Sequence, residues 1–255
     1  AMEVLRLGFE KILDQSLHLD GTVGVGGGTS LASKAINGLD FIVPCVSHTG
    51  TVGGIARAAN SYWRNQIDMG AGLNVTTGAG YGNGWPGLTL LGYMHTMWRA
   101  CQKNGGSPNF ILAGTDFIKS YEIAADAKES RYAVQPGTAQ APWNLDPSLE
   151  IKDSGTFTGL FFQGVPIIWD PVFEDLDGMG AAAKLSNGLS VDWSKRCYFL
   201  NTNHLTLRPI QDNDMIARKP PREHTSYNYY WGMTWRGSLT ANRMNCHGVI
   251  MASGI

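Results

Sequence analysis

Apolar residues recur at three- and four-residue steps over the first stretch of the chain. Met2, Leu5, Phe9, Ile12, Leu13 and Leu17 form one stripe, which predicts an amphipathic helix. Asp20-Gly21 ends it, glycine being the natural residue just past a helix. No N-cap residue precedes the pattern. A glycine-rich loop follows at 21–28, then a segment ending in Asn37-Gly38-Leu39, and later a short strand at 73–77 with a second glycine-rich loop at 78–87. A second helix is predicted over 88–103, with Leu91, Met94, Trp98 and Cys101 on one face and Asn104-Gly105-Gly106 as its stop. Residues 109–113 read as a short buried strand. Thr115 is a suitable N-cap for a third helix reaching about Lys128, carrying Phe117, Ile118, Tyr121, Ala124 and Ala125.

Beyond this point the period changes to two. Residues 156–162 and 165–169, separated by a turn at Gly164, predict a hairpin. Residues 196–200 and 205–210 predict another, joined by Asn201-Thr202-Asn203-His204. Tyr227, Tyr229, Trp231, Met233 and Trp235 alternate strictly, giving one strand an almost wholly aromatic face. A last strand spans 248–252, and the double-proline stretch 218–224 reads as an exposed charged loop. With helices early and strands late, and neither repeat nor linker, the expected class is α+β.

Composition sharpens this picture. Glycine supplies 32 of 255 residues, well above the usual ~7%. Charged residues make up 16%, where about 25% is ordinary. A soluble monomer places such charges on its wet surface, so the shortage, with 8 Trp, 9 Tyr and 9 Phe, points to surface that meets other protein. Twenty basic and 21 acidic residues leave a net charge of −1, which excludes a polybasic nucleic-acid binder. No apolar run approaches a membrane span, and Ala1-Met2-Glu3 lacks the basic start of a secretory signal. Cys45, Cys101, Cys197 and Cys246 lie far apart, a pattern of buried free thiols rather than a disulfide frame or zinc site.

Candidate chemistry is thin. Gly82-Asn83-Gly84-Trp85-Pro86-Gly87 fits the dinucleotide pattern, but Pro86 offers no N–H to a phosphate and Trp85 crowds the backbone. No Asp or Glu follows over 87–110 to hold a ribose. Gly24-Val25-Gly26-Gly27-Gly28 has no following Gly-Lys-Ser/Thr. Gly28-Thr29-Ser30-Leu31-Ala32 lacks the second glycine of a nucleophile elbow. His18, His48, His95, His204, His224 and His247 are dispersed. Cys45 and His48 have no second ligand pair, and Glu174-Asp175-Leu176-Asp177-Gly178 reads as an acidic turn rather than a calcium loop. No catalytic, cofactor-binding or metal-binding residue is assigned.

Several stretches taken in order are similar to tailed-phage major capsid proteins. Asp20-Gly21-Thr22 with Asn37-Gly38-Leu39 resembles their entry after the first helix. Gly53-Gly54-Ile55-Ala56-Arg57, running to Tyr62-Trp63-Arg64-Asn65, resembles a stretch found in one branch of them. Pro108-Asn109-Phe110-Ile111-Leu112-Ala113, the segment from Phe162 through Gly164-Val165-Pro166 to Asp170-Pro171, and Tyr198-Phe199-Leu200-Asn201-Thr202 resemble three of their strands. The resemblance covers nearly the whole chain.

It implies the capsid fold named for phage Hong Kong ninety-seven, shared by encapsulins and the herpesvirus shell floor. A peripheral domain with a spine helix is expected from about 1–60 and 205–255, and an axial domain from about 61–204. In that family an N-terminal arm and an extended hairpin loop precede the spine helix. The sequence here starts inside the helix, so either a fragment or an incompletely determined subunit is expected, and no cross-linking residue carries over. Ala56 stands where relatives often have an acid. The implied role is structural and non-enzymatic. Many copies form pentamers and hexamers of an icosahedral virion shell around double-stranded DNA, assembled in the host cytoplasm, with portal, scaffold and decoration proteins as further partners and no membrane. The glycine-rich loops at 24–28 and 78–87 are expected to adjust between subunit positions.

Interfaces favour Trp, Tyr, Phe, Met and Arg. The expected contact residues are therefore Arg57, Tyr62, Trp63, Arg64, Tyr229, Trp231 and Trp235, with an ordinary sheet core as the equal alternative for the last three. An encapsulin-like compartment keeps the fold and changes the cargo. A nucleotide-binding α+β enzyme using 82–87 is the alternative from another class.

Overall fold

A computed structural model of the protein describes residues 2–21, 35–45, 50–68, 90–103, 105–132, 157–178, 192–218 and 232–251. Its centre is a six-stranded mixed sheet with order β3-β12-β7-β4-β6-β5. The strands are β3 (Gln66–Asp68), β4 (Phe110–Ala113), β5 (Phe157–Phe162), β6 (Val165–Trp169), β7 (Arg196–Leu200) and β12 (Gly248–Met251). Two pairs are parallel, β3 with β12 and β4 with β6, so the sheet joins segments far apart in sequence.

Period-two alternation on the central strands sorts side chains into two cores. Ile111, Ala113, Ile167, Cys197, Phe199 and Ile250 meet helices α3 (Leu90–Lys103) and α4 (Thr115–Tyr132) on one face. Tyr198, Leu200, Val249 and Met251 meet the short helices α2 (Leu39–Ile42) and α5 (Val172–Gly178), with Trp193, on the other. Every residue of β7 is buried, as expected of a strand covered on both faces. Two small antiparallel ladders lie outside this sheet: β8 (Leu205–Pro209) with β11 (Gly237–Ala241), and β9 (Ile216–Arg218) with β10 (Gly232–Thr234). A short hairpin joins β1 (Thr51–Val52) to β2 (Ile55–Ala56).

The hairpin of β5 and β6 forms as predicted. Gln163 and Gly164 adopt φ of 52° and 79°, the left-handed pair that a two-residue turn needs to match strand twist. The hairpin expected from 196–200 and 205–210 does not form. Both segments are strands, but β7 already has β12 and β4 on its two edges, and β8 pairs with β11. A single 3-10 turn at Thr202–His204, closed by the Asn201 side chain on Asn203 N, redirects the chain between them. Thr115 is not the N-cap of α4. Ile118 N bonds Gly114 O at 3.0 Å, so the cap falls on Gly114. The Thr115 hydroxyl instead accepts from Trp169 Nε1 at 2.9 Å and donates to Glu174.

Helix α1 (Met2–His18) ends where the sequence predicts, but it docks with a different face. Gln15 and His18 are buried, while Leu5 and Ile12 of the apolar stripe remain exposed. The corner beneath it carries carboxylates rather than an apolar groove. Asp175 receives Lys11 at 2.8 Å and Gln15 at 3.4 Å, and Asp170 receives His18 at 2.7 Å. Gly38 then lets the chain re-enter beneath the helix, since a Cβ there would collide with the Leu17 and Leu19 carbonyls. No helix among the described residues is long and apolar enough to cross a membrane.

Candidate functional site

The stretch 53–65 folds into a self-bracing loop. Gly53 and Gly54 take φ of 60° and 80° and turn β1 into β2. Trp63 Nε1 donates to Val52 O at 3.0 Å, fixing the following 3-10 turn (Ser61–Trp63) against the hairpin. Arg64 donates to Arg57 O at 2.7 Å and to Ala58 O at 2.6 Å. Arg57 points inward and donates to the Phe41 and Ile42 carbonyls, which ties the loop to the end of α2. A planar guanidinium with several donors suits this bridging of carbonyls.

The expected contact residues therefore separate. Arg57 is 3% exposed and its hydrogen bonds run within the chain. Trp63 and Arg64 are half-buried and hold the loop's shape, whereas Tyr62, 60% exposed, faces outward. Trp235 is half-buried and packs over Gly237, whose missing Cβ leaves room for the indole. Tyr229 and Trp231 lie outside the described residues, as do the glycine-rich segments 24–28 and 78–87, the strand expected at 73–77, and the candidate nucleotide motif at 82–87.

Beneath this loop lies a buried polar cluster that sequence reasoning missed. Arg196 of β7 is 0% exposed and stacks 3.6 Å over the Trp193 ring. Its Nη1 sits 3.5 Å from Asp40 Oδ1 and 3.3 Å from the Tyr198 hydroxyl, which in turn contacts Cys45 Sγ at 3.5 Å. Burial opposes the charge on Arg196, yet its pKa is raised, with Asp40 and the hydrogen bond to Tyr198 favouring the protonated guanidinium. Burial also raises the Asp40 carboxyl, with Arg196 opposing, and pushes the Cys45 thiol up to about 12. A thiol so far from ionising is a packing group, not a nucleophile. Only the pairing of β7 with α2 brings these residues together. An arginine opening a wholly apolar strand was the one signal of it in the sequence.

The acidic stretch 174–178, expected as a turn, is helical within α5, and its carboxylates have separate duties. Glu174 receives Thr115, Asp175 receives Lys11, and both oxygens of Asp177 accept backbone N–H groups of Trp193 and Ser194 at 2.6 and 2.8 Å. No group of three His, Cys, Asp or Glu among the described residues is placed to hold a metal ion. His247 accepts from Asn201 N at 3.2 Å, and burial with the nearby His204 pushes its pKa down to about 4. His95 lies against Phe162 and Gln163. Each described histidine has a local structural partner, and no nucleophile–base pair is formed with them.

The most distinctive outward feature is on α1. Val4, Leu5, Leu7 and Ile12 are between 38% and 73% exposed. Elsewhere among the described residues the large exposed apolar side chains are Tyr62, Phe161, Leu207 and Ile210. Val4 and Leu7 lie on one side of this helix and Leu5 and Ile12 on another, and exposed apolar surface of this kind marks protein–protein contacts.

No protein-family model and no curated protein matches the sequence. Among solved structures the chain is similar to one in the capsid asymmetric unit of cyanophage A-1(L), with a TM-score of 0.54 and 19% identity. The match covers 96% of this chain and 66% of that one, so the chain spans a little under two thirds of its neighbour's length. At this identity the likeness is one of fold. The α+β architecture described above is similar in fold to that phage capsid chain.

Proposed function

We propose that the chain is the shell-forming unit of a tailed-phage major capsid protein of the Hong Kong ninety-seven type. Many copies associate as pentamers and hexamers and enclose double-stranded DNA without reading its sequence. The observation that carries this reading is the fold likeness to a capsid subunit over 96% of the chain. The exposed apolar run on α1, the outward Tyr62 and the low charge content agree with it, because shell subunits bury several distinct surfaces against neighbours. In this reading α1 and the outlying ladders belong to the peripheral part and the six-stranded sheet to the axial part. Strand β12, from the end of the chain, pairs into that sheet.

The function so proposed is geometric rather than catalytic. Rigid subunits with a braced core present apolar faces whose burial drives closure of the shell. Electron microscopy of the expressed protein tests it. Hollow particles tens of nanometres wide support the reading. A protein that stays monomeric at high concentration and binds nucleotide saturably overturns it. Particles filled with protein cargo overturn the DNA-enclosing role.

A further inference from the structure

The C-terminal turn of α1 is held by one buried histidine whose two ring nitrogens both face acceptors. His18 Nδ1 lies 2.8 Å from Asp14 O, and Nε2 lies 2.7 Å from Asp170 Oδ2. A neutral imidazole carries one N–H and can satisfy one acceptor; the imidazolium satisfies both. Asp170 is itself fixed, because its other oxygen accepts Val172 N at 2.9 Å at the start of α5. The ring is sealed edge-on by Phe173, with centroids 5.3 Å apart, and by Trp193 at 6.4 Å. Water therefore has little access to replace a lost hydrogen bond, and an unmatched pair of acceptors there is costly.

We propose that His18 is a protonation latch: as an imidazolium it clamps the end of α1 onto the α5 corner, and on losing its proton it loosens that end. The charged groups around it agree. On its own helix Asp14 Oδ1 is 3.9 Å away, and Lys11 pairs outward with Asp175 of α5. From α2, Asp40 is engaged with Arg196, and β10, which also packs on α1, carries only Gly232, Met233 and Thr234. Burial by itself would lower the histidine pKa, but the hydrogen bond and charge of Asp170, helped by Asp14, raise it above the ordinary value. A raised native pKa gives stability that is complete below about pH 6.5 and is lost as pH rises through the native value. The latch is thus closed in mild acid and open in mild base. Any effect on assembly, through the position of the exposed α1 face, rests on the capsid reading; the latch itself does not.

Hydrogen exchange of the unassembled 255-residue chain, corrected for intrinsic base catalysis, tests the latch apart from assembly. Protection of the α1 amides near His18 should fall up to about tenfold per pH unit above about 6.5 and then level off, the signature of one linked proton. Core amides of β7 should show no such step. His18→Gln should make the α1 profile flat. Asp170→Asn, which keeps a capping side chain, should move the step to lower pH. Unchanged wild-type protection from pH 6 to 9, or a step that survives unaltered in His18→Gln, overturns the proposal. A flat profile alongside normal particles would refute the latch alone, while a clear step in a chain that never assembles would refute the capsid reading alone.

Discussion

The double substitution Leu7→Glu with Ile12→Glu separates folding from assembly. These side chains are 59% and 53% exposed in the chain. Fully burying a Leu or Ile stabilises by about 1.5–3 kcal/mol, so roughly half of that, about 0.8–1.5 kcal/mol each, remains to be gained in a contact. Glutamate is a good helix former, and exposed positions generally tolerate change within about 0.5 kcal/mol. The variant should therefore unfold in urea at nearly the wild-type midpoint. Each subunit contact made by α1 should lose about 1.5–3 kcal/mol, before the added cost of burying two carboxylates, which is a roughly 10- to 150-fold weaker association by roughly 1.4 kcal/mol per tenfold. Light scattering during assembly, with sedimentation of the products, reads this directly. Particles formed at the wild-type rate and yield would refute the assignment of α1 as a contact face. An unfolding free energy lowered by more than about 1 kcal/mol would refute the premise that these residues are free in the folded chain.

Other expectations concern the interior. Arg196→Met leaves Asp40 buried without its partner and should cost about 3–5 kcal/mol in urea unfolding; adding Asp40→Asn should recover a good part, and a double variant as unstable as the single one would contradict the pairing. His247 is held neutral by burial, its pKa near 4, so the unfolded chain binds a proton that the native chain does not. Stability should fall on acidification between about pH 6.5 and 4, by up to about 1.4 kcal/mol per pH unit, and His247→Gln should flatten that limb. All four cysteines are buried and unpaired, with Cys45 and Cys101 raised to about 12. A thiol reagent at pH 8 should label none in the native protein and all four in urea; fast native labelling would contradict their burial.

Local pattern was enough for much of the secondary structure. The 3.6-residue period marks α1 and α3, and the turn chemistry of Gln163-Gly164 places the β5–β6 hairpin without reference to the rest of the chain. Burial of β4 and β12 follows from unbroken apolar runs bounded by Gly or Asn. These features depend on neighbours in sequence, so sequence displays them. The ordered set of short motifs also pointed to a capsid fold, with which the structural likeness agrees.

Pairing partners and burial depended on residues far apart, and no local period encodes them. Strand β7 passes over the nearby β8 because β4 and β12, some 85 residues before and 50 after, take both its edges. Arg57 looks like a surface arginine until the carbonyls at the end of α2 are seen beside it. The same holds for α1, whose polar Gln15 and His18 turn inward because Asp170 and Asp175 lie beneath them, leaving apolar residues in solvent. Sequence alone determined several of the helices and strands, among them α1, α3, α4, the β5–β6 hairpin and β7, since those are decided over a few residues. Tertiary structure decided which face of each is wet, because burial belongs to the whole set of contacts a side chain makes and not to its own position in a repeat.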